Sequence, residues 1–535
     1  MALRDRRLAQ LALFAALAIG HTWPLAAGLT SWSRLDNADT ALNAWILAWV
    51  AHQLAVDPLH LFDANIFYPE PRTLAFSEHM VVQGLMGVPL FALGWSAITV
   101  YNVLVLIGFT LSGVAMAAVV ERWTGSRRAG VVAGLAYAFN AHTLVRFGHM
   151  QALHVQFLPL ALAALHDLVD RPSWRTALRL GTWCALQALT SNYLLVMTAM
   201  AMGVSALVVP GAWVGADGRR RLGWTLAAAA LCGAVLLPFL WPYYQAKLHQ
   251  GLVRTFDDVA FYSGHWRDYL ATGGRLHYRL WSHRWFDLAT PLFPGLTVLA
   301  LAALAMAAPD TWRAHRTRAM IALAVAGVAL SLGAGLPGYH WLFEHVTLLQ
   351  GIRAPVRFGW LALLALAVLA GVGMARLERR WPSSATALAV VVGALVTVEA
   401  ARTPMGYTRF TGFPPIYRHV AGLPDAVLAE FPFPPPAAIQ ENGAYVAAST
   451  THFRPLLNGY SGFTPRSYYV HHAVTLRFPS AESLRELGVL GVTHLVVHGA
   501  RFDPEVIRQL EATGGARLVA REGDDRLYAL VAAAR

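Results

Sequence analysis

The sequence has few charged residues and almost no cysteine. Only 13% of its 535 residues are Asp, Glu, Lys or Arg, whereas soluble domains contain about 25%. Hydrophobic residues make up 56% of the chain, and the mean hydropathy is +0.45. Several apolar stretches approach the roughly 20 residues that a membrane-spanning helix needs. The scarcity of charge therefore excludes an ordinary soluble domain and indicates a polytopic membrane protein.

The sequence also lacks the motifs of several enzyme and metal-site classes. Its two cysteines, Cys184 and Cys232, lie inside apolar stretches, so we interpret them as small buried side chains rather than a disulfide or a metal site. No Walker, dinucleotide-binding or serine-hydrolase motif occurs in a supporting strand–helix context. Four C-terminal histidines have no carboxylate or cysteine at the spacing of a zinc site, and we predict ordinary surface and strand positions for them. They are His471, His472, His494 and His498.

The positive charge of the chain is distributed in clusters. The formal net charge is +12, which in a soluble protein would suggest a nucleic-acid partner. Here many basic residues lie in short clusters between apolar stretches, as in the cytoplasmic loops of membrane proteins. Nucleic acid is therefore a poor partner, and the clusters predict which loops face the cytoplasm.

Basic clusters and apolar stretches together predict about eleven membrane crossings, with the N-terminus in the cytoplasm. The first stretch continues past a plausible signal-peptide cleavage site, so we expect an uncleaved first helix. The predicted crossings are residues 8–29, 100–120, 129–141, 152–168, 177–191, 194–209, 222–241, 291–308, 319–336, 358–375 and 385–400. Residues 80–98 are interrupted by Gly84, Gly87, Pro89 and Gly94, and we predict a re-entrant or interfacial helix there. With this arrangement the compact basic clusters are cytoplasmic, and the long loops and the C-terminus are extracytoplasmic.

A change in polarity after residue 402 predicts a two-domain organisation. We assign residues 1–402 to a transmembrane domain whose first outer loop, residues 31–98, contains interfacial helices. Residues 403–535 are assigned to a small extracytoplasmic α/β domain. The predicted strands and helices of this domain are residues 427–431, 481–487, 494–497, 504–512 and 526–531. The predicted fold class is therefore an all-α polytopic membrane protein with a small α/β C-terminal domain.

Asp, Glu, Lys and Arg are almost absent from the predicted crossings, where we identify Asp167 and Arg179 as exceptions. Ion-coupled transporters usually have ionisable groups near the bilayer midplane and often show repeated halves, and neither feature is visible. Polar residues concentrate instead at the outer helix ends, where they predict a cavity at the level of the lipid headgroups. They are Asp36, Asp39, Glu78, His79, Arg146, His149, Gln151, Asn192, Arg254, Asp257, Asp258, Arg353 and Arg357.

The first outer loop contains the candidate catalytic carboxylates. Trp45, Trp49 and His52 follow one another at i, i+4 and i+7, which predicts one face of a helix lying in the membrane interface. Asp39 precedes this face, and two interpretations remain open for it. Its carboxylate could cap the helix N-terminus, or Asp39 or Asp36 could act as a general base.

Glu78 and His79 end the same loop and are candidate binding residues. With Asp36 and Asp39 they could form an oxygen-rich Mg²⁺ or Mn²⁺ site. Alternatively, Glu78 and His79 form a helix cap or a local hydrogen-bonded pair.

Later in the chain, Arg353 and Arg357 flank a proline and could bind a lipid phosphate or extend to the lipid headgroups. Arg254 is a weaker candidate for the same role, as is Arg267. His149 and Gln151 lie at an outer turn and could bind sugar hydroxyls or satisfy the turn.

Six short motifs carry a resemblance to a known family: ADTALNAWILAW, DPLHLFDANIFYP, TLAFSEH, GHMQ, RAPVRFG and NGYSGF. In this order they resemble a bacterial GT-C-like membrane protein family, and the resemblance covers essentially the whole chain. The GT-C superfamily consists of membrane glycosyltransferases with an acidic residue just after the first helix. Family members tend to carry Gly-Asp where this chain has Ala38-Asp39, so the resemblance implies a catalytic role for Asp39 first and Asp36 second.

The resemblance implies an inverting glycosyltransferase in the cytoplasmic membrane of a bacterium. A polyprenyl-phosphate-linked sugar would be the donor, and a lipid, glycan or protein outside the cytoplasm the acceptor. Arg353, Arg357 or a divalent metal would stabilise the departing phosphate, since some GT-C enzymes use a metal and others do not. The alternatives are a transporter or flippase of lipid-linked saccharides and a glycan-binding assembly factor dominated by the C-terminal region.

Overall fold

The computed structural model describes residues 2–251 and 254–531, so predictions that fall on residues 1, 252–253 and 532–535 lie outside it. The described chain forms two compact units. The first comprises the described parts of Met1–Gly28, Val103–Pro238 and Val253–Gly406. The second comprises those of Leu29–Asn102, Phe239–Leu252 and Tyr407–Arg535. The predicted first outer loop and most of the predicted C-terminal domain therefore share one unit.

The protein is predominantly helical, in agreement with the predicted fold class. The α-helices in chain order are α1 Ala2–His21, α2 Ala38–Val56, α3 Val81–Ala92, α4 Ala97–Thr124, α5 Arg127–Ala138, α6 Phe157–Asp170, α7 Trp174–Thr190, α8 Asn192–Leu207, α9 Gly215–Gln250, α10 Phe256–Phe261, α11 Arg275–Leu280, α12 Leu296–Met306, α13 Pro309–Arg313, α14 His315–Ser331, α15 Tyr339–His345, α16 Thr347–Gln350, α17 Gly359–Arg380, α18 Ala385–Ala400, α19 Ile416–Ala421, α20 Gly443–Ala448, α21 Arg466–Thr475, α22 Ala481–Val489 and α23 Pro504–Ala512.

Within the described residues, four helical spans are long and apolar enough to cross a membrane, which confirms the polytopic membrane class. They are Ala97–Thr124, Gly215–Gln250, Pro355–Arg380 and Pro382–Ala400. Shorter apolar helices are Val81–Ala92, Asn192–Leu207 and Leu296–Met306. The number of about eleven crossings and their direction remain predictions. Helix α9 extends beyond the predicted end at residue 241, so the loop predicted from residue 242 begins as helix.

The interrupted stretch at residues 80–98 folds as the short helix α3, a turn and the start of α4. With 12 residues, α3 is about 18 Å long, well short of the roughly 30 Å hydrocarbon core of a bilayer. One face packs against α2, where a Cβ at Gly84 would lie 2.4 Å from Val50 Cγ1. The length of α3 favours the predicted re-entrant or interfacial element.

Helix α17 is central to the first unit because its small residues allow neighbouring helices to approach closely. A Cβ at Gly371 would lie 2.6 Å from Val120 Cγ1 of α4, and a Cβ at Gly373 would lie 2.1 Å from the Leu301 carbonyl oxygen of α12. Close packing of small residues is a main source of helix–helix attraction in lipid. These contacts position α17 and the segment before it, which carries Arg353 and Arg357.

Glu399, near the end of α18, is a further ionisable residue within a predicted crossing, in addition to the two expected exceptions. Its carboxylate accepts hydrogen bonds from the Thr297 N–H at 3.1 Å and the Thr297 hydroxyl at 2.5 Å. It also lies 3.4 Å from His277 Nε2. A buried carboxylate needs such partners because desolvation of its charge is costly. Glu399 thus connects α11, α12 and α18.

The second unit contains a four-stranded mixed sheet and a separate two-stranded pair. The strands are β1 Trp32–Ser33, β2 Thr408–Arg409, β3 Leu428–Phe431, β4 His494–His498, β5 Ala516–Glu522 and β6 Asp525–Leu530. The order of the larger sheet is β3-β4-β6-β5, with β3 and β4 parallel and the other pairs antiparallel. The three predicted strands and both predicted helices of this region are confirmed, whereas β5, α19, α20 and α21 were not predicted.

The first outer loop adds an extended segment beside this sheet. The Phe67 N–H donates to the Asn458 carbonyl at 3.0 Å, and the Leu456 N–H donates to the Asn65 carbonyl at 2.7 Å. The segment around Leu456 is also hydrogen-bonded to β3. Backbone pairing between residues 65–68 and 456–458 therefore explains why the loop and the C-terminal region fold as one unit.

Helix α2 forms where it was expected, but its tryptophan face packs against protein and not against lipid headgroups. Trp45 and Trp49 are 1% and 5% exposed. The Trp45 indole N–H donates to Asn65 Oδ1 at 3.0 Å, and the Trp49 indole N–H donates to the Leu61 carbonyl at 2.8 Å. The interfacial placement of this face is corrected because α3 and α20 pack against α2.

His498 ends β4, a strand position as predicted, and it makes two contacts with carboxylates that were not predicted. Its Nε2 lies 3.0 Å from Glu430 Oε2, and its Nδ1 lies 2.9 Å from Asp525 Oδ1. Burial alone would lower the pKa of His498, but hydrogen bonds to Asp525 and Glu430 and their charges raise it to about 9. The pairing of β4 with β3 and β6 brings these three residues together, which spacing along the sequence does not reveal.

Candidate active site

Asp39 lies in the first turn of α2, but it does not cap this helix. The cap is Asn37, whose Oδ1 accepts hydrogen bonds from the N–H groups of Asp39 and Thr40 at 2.9 and 3.3 Å. An asparagine oxygen at this position satisfies N–H groups that have no partner within the helix. The interpretation of Asp39 as the cap is therefore corrected, and its carboxylate makes its contacts elsewhere.

The Asp39 carboxylate is hydrogen-bonded to the C-terminal region. The Tyr460 hydroxyl donates to Asp39 Oδ1 at 2.7 Å, across a sequence separation of 421 residues. Both side chains are half-buried. A carboxylate that is partly shielded from water and fixed by a hydrogen bond is a candidate general base.

Asp36 has a more exposed environment than Asp39. Its Oδ1 lies 3.2 Å from Arg34 Nε, and its side chain is 45% exposed. An exposed ion pair of this kind is screened by solvent. Asp36 therefore keeps its second rank among the candidate bases.

Glu78 and His79 lie in the interior of the second unit. The His79 ring is fully buried and packs near Phe62, Phe239 and Tyr243, with ring-centre distances of 6.5, 6.0 and 6.0 Å. Burial lowers the pKa of His79 to about 4. Glu78 is 8% exposed. His79 is therefore a neutral side chain in an aromatic setting.

The residues proposed for a metal site do not fit one. Among the residues that the structure describes, no three His, Cys, Asp or Glu side chains form a group that could hold a metal ion. Asp36 is paired with Arg34, and His79 is surrounded by aromatic rings. The expectation that Asp36, Asp39, Glu78 and His79 bind Mg²⁺ or Mn²⁺ is thus unsupported, and we derive no chemical step through a metal.

A cavity in the first unit brings together a second set of predicted residues. It is open to solvent, and the space within it, open solvent included, is about 460 Å³. His149, Gln151 and Arg357, three of the candidate binding residues, line it. The complete lining is His142, Arg146, His149, Gln151, Ala152, Val155, Ser191, Tyr193, Leu194, Met197, Arg357 and Trp360. The wall thus combines cationic, polar and apolar side chains.

Two arginine–tyrosine pairs meet at Tyr193. The Arg357 guanidinium lies 4.7 Å from the centre of the Tyr193 ring, and the Tyr193 hydroxyl accepts a hydrogen bond from the Arg353 N–H at 3.1 Å. The Arg353 guanidinium lies 4.5 Å from the centre of the Tyr262 ring and donates to its hydroxyl at 2.8 Å. Pro355 starts a single 3₁₀ turn, Pro355–Phe358, which contains Arg357 and begins two residues after Arg353. Aromatic faces orient planar guanidinium groups, so both arginines have defined directions.

Positive charge is concentrated around this cavity. Burial, together with Arg357 and Arg146, lowers the pKa of His149 well below its usual value. Burial also lowers the pKa of Arg254, and the neighbouring charge of Arg353 acts in the same direction. The histidine is therefore neutral and the arginines carry the charge. A bound anion would offset their mutual repulsion.

Some site residues were not identified from the sequence. Tyr193 and Tyr262 were missed because single tyrosines in a chain with 17 of them give no local signal. Tyr460 lies in the NGYSGF motif, so the segment was recognised but the residue was not. Arg146 was among the predicted outer polar residues, and the structure places it in the cavity wall.

No protein-family sequence model and no curated protein sequence matches the chain. Solved structures do match it. The apo oligosaccharyltransferase of Archaeoglobus fulgidus aligns with a TM-score of 0.54 and 13% identity, over 92% of this chain and 69% of the archaeal chain. The same enzyme, tethered to an acceptor peptide containing the NVT sequon, aligns with a TM-score of 0.51 and 12% identity, over 92% and 68% of the two chains. ArnT from Cupriavidus metallidurans in the apo state aligns over 100% of both chains with 15% identity and a TM-score of 0.49.

The likeness to the archaeal oligosaccharyltransferase identifies the fold. The chain shares the polytopic fold of this archaeal enzyme, in agreement with the fold that the motif resemblance implied. At 13% identity the likeness concerns the fold alone. The function proposed below is therefore argued from the residues of this chain.

Proposed function

We propose that the protein is a membrane glycosyltransferase that transfers a sugar from a polyprenyl-phosphate donor to a lipid, glycan or protein acceptor outside the cytoplasm. The observation that carries this proposal is the arginine-lined cavity in a chain with the GT-C fold. Arg146 and Arg357 supply fixed cations, and Leu194, Met197 and Trp360 supply apolar wall. A polyprenyl phosphate joins an anion to a hydrocarbon chain, so the cavity offers both chemistries that this donor needs.

Within this proposal, Arg357 binds the phosphate from the cavity wall, and Arg353, which does not line the cavity, is the second phosphate-binding candidate. An arginine fork offers two parallel N–H groups to phosphate oxygens. The tyrosine contacts orient both guanidinium groups before a ligand arrives, which reduces the entropy lost on binding. His149 and Gln151 line the same cavity and would bind the sugar hydroxyls.

Asp39 is the proposed general base. The acceptor oxygen attacks the anomeric carbon while its proton passes to the Asp39 carboxylate. The bond between the anomeric carbon and the phosphate oxygen breaks, and the polyprenyl phosphate leaves with the electron pair. Attack from the face opposite the leaving group inverts the anomeric centre.

The class of the acceptor can be determined by testing several candidate acceptors side by side. One of the matching archaeal oligosaccharyltransferase structures holds an acceptor peptide. A peptide is therefore one acceptor to test beside glycans and lipids.

The test uses full-length protein in lipid nanodiscs and radiolabelled sugars on polyprenyl phosphate. Asp39→Asn should lower kcat by roughly 10²- to 10⁴-fold, the range expected for the loss of a general base. Arg357→Gln should weaken donor binding by roughly 10- to 100-fold, since a hydrogen bond to a charged group contributes about 1.5–3 kcal/mol. Arg284→Gln removes an exposed arginine outside the cavity and is the matched control, with both parameters unchanged.

Two results would contradict the proposal. Sugar transfer that survives both Asp39→Asn and Asp36→Asn would refute the assignment of the base. Movement of the lipid-linked sugar across vesicle bilayers without any transfer to an acceptor would instead favour the transporter or flippase.

A further inference from the structure

The Tyr460 hydroxyl contacts Asp39, the proposed base, and several interactions fix the backbone that precedes Tyr460. Asn458, two residues earlier, accepts a hydrogen bond from the Glu430 N–H at 2.8 Å. Its side-chain amide donates to the Glu430 carbonyl and to Asn442 Oδ1, each at 3.0 Å. Gly459 follows, and a Cβ there would lie 2.5 Å from a ring carbon of Phe67. Buried hydrogen bonds and this close contact therefore fix the backbone that leads into Tyr460.

The backbone of Asp39, the other partner in this contact, is also fixed by its neighbours. Asn37 caps α2, and the Asp39 carbonyl accepts a hydrogen bond from Asn43 Nδ2 at 2.6 Å. A Cβ at Gly443, the first residue of α20, would lie 3.2 Å from Ala38 Cβ. The first turn of α2 therefore packs directly against α20, and the backbone of Asp39 has a defined position.

We infer that Tyr460 is a positioning residue for Asp39, an inference that rests on the proposed function. The Asp39 carboxylate turns about two side-chain torsions, and the hydrogen bond from the Tyr460 hydroxyl to Oδ1 at 2.7 Å restrains both. The phenol is neutral, so it orients the carboxylate without forming an ion pair that would compete for the proton. A base held in one orientation reaches the acceptor proton more often than a rotating one.

The test compares Tyr460→Phe with the wild type in nanodiscs. The substitution removes the hydroxyl and keeps the ring, so kcat should fall about tenfold as the base loses its orientation. The KM for the polyprenyl-phosphate sugar should change less than about twofold, because Tyr460 does not line the donor cavity. Tyr469→Phe is the matched control, since Tyr469 is 57% exposed on α21, and it should leave both parameters unchanged.

Double variants separate positioning from a general structural role. If Tyr460 acts through Asp39, Tyr460→Phe should cause no further loss in the Asp39→Asn background. It should also have little effect in the Asp39→Glu background, where the longer side chain already moves the carboxylate away from the hydroxyl. A loss of equal size in every background would overturn the inference and assign Tyr460 to stability or to another step.

The outcomes also distinguish this inference from the function on which it rests. An inactive Asp39→Asn variant with a fully active Tyr460→Phe variant would overturn only the positioning role. An active Asp39→Asn variant would overturn both. Thermal unfolding of each variant in nanodiscs identifies any loss of kcat that comes from misfolding.

Discussion

His498 illustrates, at the scale of single residues, how tertiary structure assigns charges that the sequence does not reveal. Glu430 is completely buried, and an isolated carboxylate there would be costly to ionise. His498 and the Tyr417 hydroxyl both contact Glu430 Oε2, at 3.0 and 2.6 Å. The Tyr445 ring stacks on the imidazole with its centre 5.2 Å away. The cluster is thus a protonated histidine enclosed by carboxylates and tyrosines.

We expect the stability of the second unit to depend on pH through His498. The folded-state pKa is about 9, above the ordinary value of 6.5. The contribution of His498 is therefore complete below pH 6.5 and is lost as the pH rises through about 9. It amounts to at most about 3 kcal/mol. Hydrogen exchange of the β4 amides, corrected for intrinsic rates, should reveal this loss.

The control for this experiment lies on the same strand. His498→Gln should be less stable at pH 6.5, and its protection should no longer decline in this pH range. His494→Gln should keep the decline, because His494 is hydrogen-bonded to Thr493 and contacts neither carboxylate. An unchanged pH dependence in His498→Gln would show that another group titrates.

At the scale of secondary-structure elements, the packing of α3 on α2 depends on Gly84, which has no side chain to separate the two helices. We expect Gly84→Ala to destabilise the protein by about 1–3 kcal/mol, since its methyl group would lie 2.4 Å from the branched Val50 side chain. Gly223→Ala in α9 is the control, with no atom within 4 Å of its new Cβ, and it should be neutral or slightly stabilising. Monodispersity after heating, measured by size-exclusion chromatography, checks both.

A double variant tests whether the stability lost in Gly84→Ala comes from the contact with Val50. Val50→Ala combined with Gly84→Ala should lose less stability than the sum of the two single variants, because Val50 Cγ1, the atom at 2.4 Å, is removed while Cβ at 2.7 Å remains. Equal stability of Gly84→Ala and Gly223→Ala would contradict the close packing of α2 and α3.

The positions of the membrane helices were largely predictable from the sequence because they depend on local composition. Helix α18 occupies residues 385–400, as predicted. The end of α9 was not predictable in the same way, because Lys247 and His249 extend the helix beyond its apolar part. Trp45 and Trp49 show a further limit of prediction from sequence. An apolar helix face looks the same in sequence whether lipid or protein covers it.

Local composition also made part of the candidate site predictable. His149, Gln151 and Arg357 are conspicuous in a chain with only 13% charged residues, so the sequence could single them out, and the structure places them in one cavity wall. The contact between Asp39 and Tyr460 spans 421 residues and depends on the folding of the whole second unit. Composition and local spacing carry no information about such a contact.

At the scale of the whole molecule, the distribution of basic residues predicts the orientation of the chain in the membrane. In a background with Cys184 and Cys232 replaced by alanine, Val489→Cys should react with a membrane-impermeant maleimide in intact spheroplasts. Trp381→Cys, in the predicted cytoplasmic turn after α17, should react only after the membrane is permeabilised. Val489 and Trp381 are 84% and 49% exposed, so burial does not limit either reaction. Labelling with the opposite pattern would reverse the predicted topology.

The pairing of the first outer loop with the C-terminal region has a consequence for how the protein is made. Asn65 and its hydrogen-bonding partner Arg454 are 389 residues apart. At about 5–20 residues per second, the ribosome needs roughly 20–80 seconds to synthesise the chain between them. During that interval the loop has left the ribosome, but its partner strand does not yet exist. The second unit therefore completes its folding only after nearly all of the chain has been translated, and a chain that stops early would leave Asp39 without its partner tyrosine.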